Sequence, residues 1–199
     1  MVEGRSGSTR QTLIDATAAR LRVTDESELR IADVCEDTGL SSSVIYSNFR
    51  SRQGLIDATF LTMYDDLARR YVELLQHNTA DAVSLDSLLA FYRVGEGQAP
   101  VQETLREFRR IRLRVSTAAL ARPELQRAVV QVQEDHVSRM SGLIEDLQAR
   151  GLLGRGLRAR QLAVLLEGFS FGRALDDISL HPESDASWYQ MLVLVLENM

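Results

Sequence analysis

The chain has 199 residues, of which 45% are hydrophobic and only three are proline, and its formal net charge is −5 at pH 7. This length allows a proper core in one large or two small domains, and the low proline content allows long helices. No stretch holds eighteen uncharged apolar residues, which excludes a membrane span, and the negative charge does not by itself suggest a nucleic-acid-binding protein.

The N-terminus is polar and lacks the apolar core of a signal peptide. A single cysteine, Cys35, cannot form an internal disulfide, which favours a reducing compartment. We therefore expect a cytoplasmic protein with no membrane partner, in which Cys35 packs on the apolar face of its helix.

The first predicted helix runs from about Thr9 to Arg22, and an acidic turn over residues 23–28 follows it. Its inward positions are predicted to be Leu13, Ile14, Thr17 and Leu21. A second, short helix is predicted over Ile31–Thr38, with an apolar face that includes Val34 and Cys35.

A glycine turn and a third helix come next. Gly39 can adopt positive φ, and Ser41 is a good N-cap for a helix that ends near Phe49. That helix buries Val44 or Ile45 together with Phe49, and it turns its small polar side chains outward. A helix, a glycine turn and a short polar helix are typical of a helix-turn-helix, whose second helix enters the major groove of DNA. An ordinary corner between two packed helices fits these residues equally well.

The flanking sequence favours the helix-turn-helix. Arg50-Ser51-Arg52-Gln53-Gly54-Leu55-Ile56 follows, and the arrangement Gly-Leu-Ser … Ile-Tyr-Ser-Asn-Phe-Arg-Ser-Arg-Gln-Gly-Leu-Ile resembles the DNA-binding domain of TetR-family transcriptional repressors. The resemblance covers about the first quarter of the chain. It implies an all-α fold of about nine helices, with a three-helix DNA-binding domain at residues 1–52 and a ligand-sensing, dimerising domain at residues 53–199.

The resemblance also implies roles in DNA binding. Tyr46 and Arg52 are expected to contact phosphates, whereas the outward side chains of the third helix are expected to face base edges; these are Ser42, Ser43, Ser47 and Asn48. Arg30 stands where the family usually has a Ser or Thr cap, and Arg52 where it usually has a lysine. Arg30 could replace a hydroxyl–phosphate contact with an ionic one. At this edge of the domain the sequence therefore departs from the family pattern.

The later helices are predicted from apolar residues at helical spacing and from glycine and proline breaks. In chain order they are a helix from about Arg52 to Gln76, a helix that contains Leu85, Leu88, Leu89 and Tyr92, a helix that ends near Ala121, and helices over about Pro123–Arg150, Ala159–Leu180 and Asp185–Met199. Gly95 to Pro100 is predicted as a turn.

Two polar residues interrupt the inward stripes of the central helices. Arg112 and His136 stand where apolar residues are expected. Burying an arginine is costly unless it is paired, so Arg112 either pairs with an acid of its own chain, snorkels to the surface, or meets a ligand. The candidate acids are Glu134, Asp135 and Glu167. If Arg112 meets a ligand, the inward side chains of the central helices would form an effector pocket. Its residues would be Phe60, Tyr64, Phe108, Arg112, His136 and Met140. The effector would then carry an acidic or strongly hydrogen-bonding end near Arg112.

The last helix has apolar side chains on all its faces from Trp188 to Leu196, so it must be covered on all faces. The core of its own subunit would cover one side of this helix, and a partner subunit would cover the other side. The resemblance implies such an arrangement, a dimer interface of four helices. The predicted interface residues are Gly168, Gly172, Trp188, Leu192 and Val195. The alternatives are a last helix buried within a monomer and glycines that the helix simply tolerates.

No catalytic or metal-binding constellation stands out, because His77, His136 and His181 lack helix-spaced ligand partners. We therefore expect neither an enzyme nor a cofactor. The sequence predicts a ligand-responsive transcriptional regulator, best interpreted as a repressor, that binds a two-fold symmetric operator as a homodimer and is released by a small-molecule effector. The rival interpretations are a small-molecule-binding or scaffold protein of the same fold that no longer binds DNA, and a helical-bundle enzyme.

Overall fold

The structure, a computed structural model, describes residues 3–89 and 99–197. Within these ranges it contains helices and no strand. The helices are α1 (Glu3–Leu21), α2 (Ile31–Thr38), α3 (Ser42–Phe49), α4 (Arg52–Thr79), α5 (Leu85–Leu89), α6 (Ala99–Leu120), α7 (Pro123–Ala149), α8 (Ala159–Asp176) and α9 (Asp185–Glu197). The all-α prediction is confirmed. None of these helices combines the length and the apolar character that crossing a membrane requires.

The predicted helix bounds hold best where a cap or a breaker marks the end. α2 matches at both ends, and Pro123 is the first residue of α7, as a proline at N1 should be. Most of the predicted Gly95–Pro100 turn lies outside the described residues, and so do Tyr92 and Met199. The last residue of that predicted turn, Pro100, belongs to α6.

α8 ends four residues earlier than predicted. It stops at Asp176, and the backbone then turns, with Ser179 N–H donating to the Asp176 carbonyl at 2.9 Å. The side chain of Asp176 also accepts from the backbone N–H of Glu183 at 2.9 Å. This carboxylate holds residues after α8 in a loop, whereas the apolar periodicity of the sequence predicted that the helix continues there.

The chain divides into two compact units, Met1–Asp65 and Asp66–Met199. The division falls inside α4, whereas the predicted boundary lay at the first residue of that helix. In the N-terminal unit, all four predicted inward residues of α1 are buried. They share the core with buried side chains of α2, α3 and the start of α4: Val34, Ile45, Phe49, Leu55, Ile56 and Phe60.

An ion pair joins α1 to α2 at the surface of the N-terminal unit. Arg20 donates from Nη2 to Asp37 Oδ1 at 2.8 Å and to the Asp33 carbonyl at 3.1 Å. The hydrogen bond from Arg20 lowers the pKa of Asp37. Because both side chains are about one-third exposed, this contact orients the two helices more than it stabilises them.

The C-terminal unit is a bundle in which α6, α7 and α8 pack on one another. Its core also takes one face of α4 and of α9. The buried members of this core are Val72, Leu75, Leu89, Leu105, Val137, Met140, Ile144, Ala159, Leu162, Ala163, Leu192 and Leu196.

Candidate functional site

The turn between α2 and α3 has the geometry that the sequence predicted. Gly39 ends α2 with φ 67°, in the left-handed region that glycine favours. Ser41 occupies the N-cap position of α3 in extended conformation, but its hydroxyl pairs with Ser43 Oγ at 2.8 Å and does not cap the helix. Ile45 and Phe49 anchor α3 in the core. The face of α3 opposite these two residues, which carries Ser42, Ser43, Tyr46 and Ser47, is therefore held toward solvent.

Most of the predicted DNA-facing residues of α3 are exposed. Ser42, Ser43 and Ser47 are exposed, and Tyr46 is 49% exposed. Asn48 differs from the prediction: it is half-buried, and its Nδ2 donates to the Val44 carbonyl at 2.8 Å. An Asn near the end of a helix can satisfy the backbone carbonyl one turn earlier, and this local bond turns its amide away from the outer face.

Arg52 also points elsewhere than predicted. Its Nε donates to the Leu29 carbonyl at 2.7 Å, and its Nη2 donates to the Glu26 carbonyl. The guanidinium thus ties the start of α4 to the loop before α2. Arg30, in contrast, is exposed at the N-cap of α2 and makes no side-chain cap bond.

A second candidate region lies in the C-terminal unit, around a buried carboxylate. Glu167 on α8 pairs with Arg112 on α6 and accepts from Gln133 Nε2 on α7 at 3.0 Å. Its other oxygen lies 2.9 Å from His136 Nε2. Burial by itself would raise the pKa of Glu167, but the hydrogen bond from His136 and the charge of Arg112 outweigh it and lower that pKa. Arg112 has therefore found its counter-ion in its own chain, which was one of the three alternatives that the sequence left open.

The rest of this cluster is aromatic. The Arg112 guanidinium lies 4.3 Å from the centre of the Phe171 ring, and Phe108 stacks on Tyr71 at 5.1 Å. The His136 ring packs against both Phe108 and Tyr71, at 5.5 and 5.9 Å. Arg112 and His136 are closed in by these rings.

Tyr71 and Phe108 also line a pocket of about 90 Å³. Its lining is rich in aromatic side chains from four helices. The lining residues are Tyr71, Leu105, Phe108, Arg109, Leu166, Phe169, Ser170, Arg173, Asp185, Trp188, Tyr189 and Leu192. A smaller apolar pocket of about 60 Å³ shares Leu166 and Leu192 with it.

The charged residues at this pocket are paired with one another. Arg109 donates to Asp177 at 3.0 Å. Arg173 lies 3.3 Å from Asp177 and 3.6 Å from Asp176, and it is also bonded to Asp185. Of these three aspartates only Asp185 lines the pocket, so its charged lining consists of two arginines and one aspartate.

Few of the predicted ligand residues line the aromatic pocket. Phe108 lines it, and Met140 lines the smaller one. Phe60 and Tyr64 are buried within the N-terminal unit, and Arg112 and His136 are engaged with Glu167. The sequence stripe found the inward faces of α6 and α7 correctly. It missed Phe169, Trp188 and Tyr189, whose aromatic clustering on the last two helices was the available signal.

The predicted interface residues divide into inward and outward sets. Leu192 is buried in the core of its own subunit, and Val195 is half-buried. Trp188 packs edge-on against Phe169 at 4.9 Å, and its Nε1 donates to Asp176 at 2.8 Å. Leu192 was predicted to lie at the dimer interface. It lies instead in the core of its own subunit, which covers that face of α9.

Gly168 and Gly172 are both exposed on α8. A Cβ at Gly168 would meet nothing within 4 Å, and one at Gly172 would lie 3.5 Å from the Trp188 ring. α8 and α9 also expose apolar side chains, which we together call the α8–α9 apolar face. It consists of the exposed residues Val164, Leu165, Leu175, Met191 and Leu194 together with Gly168.

Among the described residues, no group of three or more His, Cys, Asp and Glu side chains is arranged to hold a metal ion. Cys35 is a free, half-buried thiol. Neither observation adds a further site.

No protein-family model and no curated protein sequence matches this chain. Solved structures do. A TetR-family transcriptional regulator from Rhodococcus sp. is 22% identical, with 96% of this chain and 98% of that one covered and a TM-score of 0.68. A TetR-family regulator from Mesorhizobium loti is 16% identical, with 98% and 96% covered and a TM-score of 0.75.

A transcriptional regulator from Saccharomonospora viridis, solved in complex with choline, is 16% identical, with 96% of each chain covered and a TM-score of 0.66. These likenesses extend over nearly the whole chain. They show that it has the all-α fold of the TetR-type transcriptional regulators.

Proposed function

We propose that this chain, whose fold is that of the TetR-type regulators, is a ligand-responsive transcriptional repressor that binds DNA as a homodimer. The observation that carries the proposal is α3, a short helix anchored by Ile45 and Phe49 that presents serines and Tyr46 to solvent after a glycine turn. Such a helix fits a major groove, and dimers of this kind bind half-sites about one helical turn apart.

On the DNA side, Ser42, Ser43 and Ser47 are proposed to face base edges, with Tyr46 and Arg30 on phosphates. Asn48 contributes only if its amide exchanges the Val44 carbonyl for a base. Arg52 is not proposed as a phosphate contact, because its donors are engaged with the carbonyls of Glu26 and Leu29.

Binding to the DNA upstream of the chain's own gene tests this proposal. Wild-type protein should retard that duplex at low salt, and Tyr46→Ala and Ser43→Ala should weaken binding. Ser138→Ala is the matched control, since Ser138 is exposed outside the N-terminal unit. Absence of wild-type binding to any duplex at low salt would contradict DNA binding and favour the rival, a protein of this fold that binds only small molecules.

For the dimer, we propose that a second copy covers the α8–α9 apolar face. Contiguous exposed apolar side chains on a monomer mark an interface, and the open space at Gly168 permits close helix approach. Light scattering should give about twice the 22.3 kDa chain mass. Leu194→Glu should reduce the mass to that of a monomer, whereas Leu120→Glu, at an exposed position on α6, should leave the dimer intact. A wild-type monomer at micromolar concentration would contradict the proposal.

For the effector, we propose an aromatic molecule without negative charge that occupies the aromatic pocket. An acidic effector near Arg112 loses its support, because Glu167 already neutralises that arginine. At the pocket itself, an anion would have to displace an aspartate from Arg109 or Arg173, whereas a cation can stack on the aromatic faces of the lining. The choline bound to the Saccharomonospora viridis protein is a ligand of this charge class.

Trp188 provides the measurement, because it is the only tryptophan in the chain and it lines the pocket. Benzyltrimethylammonium should change its fluorescence saturably, and benzoate should not. Asp185→Asn should weaken binding of the ammonium probe. Asp81→Asn, at an exposed position, is the control and should leave that binding unchanged. A stronger response to benzoate would contradict this charge preference.

The repressor mechanism requires that the effector favour one conformation of the dimer. The dimer must have one conformation that fits the operator and one that does not. An effector can release DNA only if its affinity for the second conformation is higher than its affinity for the first. Addition of a ligand that changes Trp188 fluorescence should therefore lower operator affinity.

A further inference from the structure

Arg50 has an unusual backbone conformation. It follows the last residue of α3 with φ 65° and ψ −33°, and it is the only non-glycine residue with positive φ in the described part of the chain. The Ser51 N–H donates to the Phe49 carbonyl at 2.7 Å, so Arg50 is the centre of a γ-turn with positive φ. This form of γ-turn is rare and strained, and glycine would adopt it at lower cost.

The surrounding residues impose the turn. Phe49 is held in the core, and Ser51 caps α4 by accepting from the Gly54 N–H at 2.9 Å. α4 starts so close to the end of α3 that a Cβ at Gly54 would lie 2.1 Å from the Phe49 carbonyl oxygen. With both sides fixed, residue 50 must take this conformation whatever its side chain is. The side chain at that position is therefore free to serve another purpose than the turn.

The Arg50 side chain is exposed, and its guanidinium makes no hydrogen bond or ion pair to the described residues. Arg52, two residues later, is half-buried and donates to the carbonyls of Glu26 and Leu29. From Gly39 to Leu55 these are the only charged residues. Of the two cations next to the proposed recognition helix, only Arg50 is available to a partner in solution.

We infer that Arg50 is the phosphate-contacting arginine at the C-terminal end of α3, and that Arg52 is a positioning residue for the turn. A strained conformation kept by a residue with an unengaged cation is the pattern expected at a functional position. Arginine suits a DNA phosphate because its guanidinium can donate two parallel hydrogen bonds. The inference rests on the proposed DNA binding and names the residue that carries its electrostatic part.

A simpler role for Arg50 would be to interact with the negative end of the α3 dipole. The two roles predict different DNA affinities for Arg50→Gly. If the arginine serves only the helix end, glycine costs little DNA affinity. If it contacts phosphate, glycine relieves the backbone strain, so thermal stability is unchanged or higher, while DNA affinity falls.

The experiment compares wild type with Arg50→Gly, Arg50→Lys and Arg52→Gln on one duplex over a series of salt concentrations. Arg52→Gln keeps an amide donor for the two carbonyls but removes the charge, so it separates the positioning role from a phosphate contact. Arg50→Gly should weaken binding about tenfold or more for specific and non-specific DNA alike. It should also lower the slope of log affinity against log salt by about one for each subunit.

Arg50→Lys should recover most of the salt slope, and Arg52→Gln should keep the wild-type slope. An unchanged affinity and slope for Arg50→Gly would overturn the inference while leaving the proposed function standing. A reduced slope for Arg52→Gln with a normal Arg50→Gly would assign the phosphate to Arg52. If wild-type protein binds no DNA at low salt, the proposed function and this inference both fail.

Discussion

The two compact units are specified by different kinds of interaction. In the N-terminal unit, the decisive contacts join residues near in sequence: Gly39 turns the chain, and Ser51 and Gly54 set the entry to α4. In the C-terminal unit, the decisive polar contact joins Arg112, His136 and Glu167 from three different helices. Local contacts leave a signature in the sequence, whereas a cluster assembled from distant helices leaves only unexplained polar residues on apolar stripes.

The comparison also separates two ways of handling charge. The N-terminal unit keeps Arg30 and Arg50 exposed, where each can meet an outside partner. The C-terminal unit encloses Arg112 and gives it an aromatic ring and the carboxylate of Glu167, which also accepts from Gln133. A buried charge that is already paired with a carboxylate is a poor ligand anchor.

The largest expected effect comes from breaking that enclosed cluster. Glu167→Gln leaves the Arg112 guanidinium buried without its counter-ion, and removal of one partner of a buried pair costs about 3–5 kcal/mol. Urea unfolding should show this loss in the free energy of unfolding.

Two variants control for this interpretation. Gln133→Ala removes a neutral donor to Glu167 and leaves the Arg112–Glu167 pair in place, so it should cost about 1 kcal/mol. The double variant Arg112→Met/Glu167→Leu removes both charges and should recover much of the stability that Glu167→Gln loses. A small effect of Glu167→Gln would mean that the cluster is hydrated and does not act as a buried pair.

The next largest effect comes from the turn into α4. Gly54→Ala places a methyl group 2.1 Å from a backbone oxygen that cannot move without displacing Phe49, so we expect a loss of about 3 kcal/mol. Gly39→Ala is the matched control, because a Cβ there meets nothing within 4 Å and the cost is only that of positive φ, about 1 kcal/mol. Thermal melts of the two variants should rank them in this order; the reverse order would contradict the close approach.

A pH effect should follow from Glu167. Because its pKa is lower in the folded protein than in the unfolded chain, the stability it contributes is present above the ordinary glutamate pKa of about 4.3 and is lost as pH falls through the folded-state value. Wild-type protein should therefore lose stability steeply below about pH 4. Glu167→Gln should show a shallower acid dependence than wild type. Identical acid profiles for the two proteins would refute the lowered pKa.

The smallest effect is expected at the surface pair of the N-terminal unit. Arg20→Gln removes an exposed ion pair with Asp37, which salt screens. The melting temperature should fall slightly at low salt, and the difference from wild type should vanish near 1 M salt. A large loss that persists at high salt would show that the contact with the Asp33 carbonyl, and not the ion pair, holds α1 on α2.

For the site, sequence reasoning succeeded where a side chain's environment is local. Ser42, Ser43 and Tyr46 are exposed as predicted, because helix periodicity alone decides which face Ile45 and Phe49 bury. The directions of Asn48 and Arg52 were not predictable in this way. Each bonds to a backbone carbonyl, and which carbonyl lies within reach depends on how the loop before α2 and the end of α3 are placed.

The sequence by itself determined the helical class, the helix-turn-helix at Gly39 and most helix bounds, because apolar periodicity and caps act within a few residues. It also marked Arg112 and His136 as polar residues on buried stripes. Only the tertiary structure decided that Glu167 pairs with both of them, that Leu192 is covered by its own subunit, and that aromatic residues of four helices form a pocket. These outcomes depend on distances between helices that are far apart in sequence, and no local spacing encodes such distances.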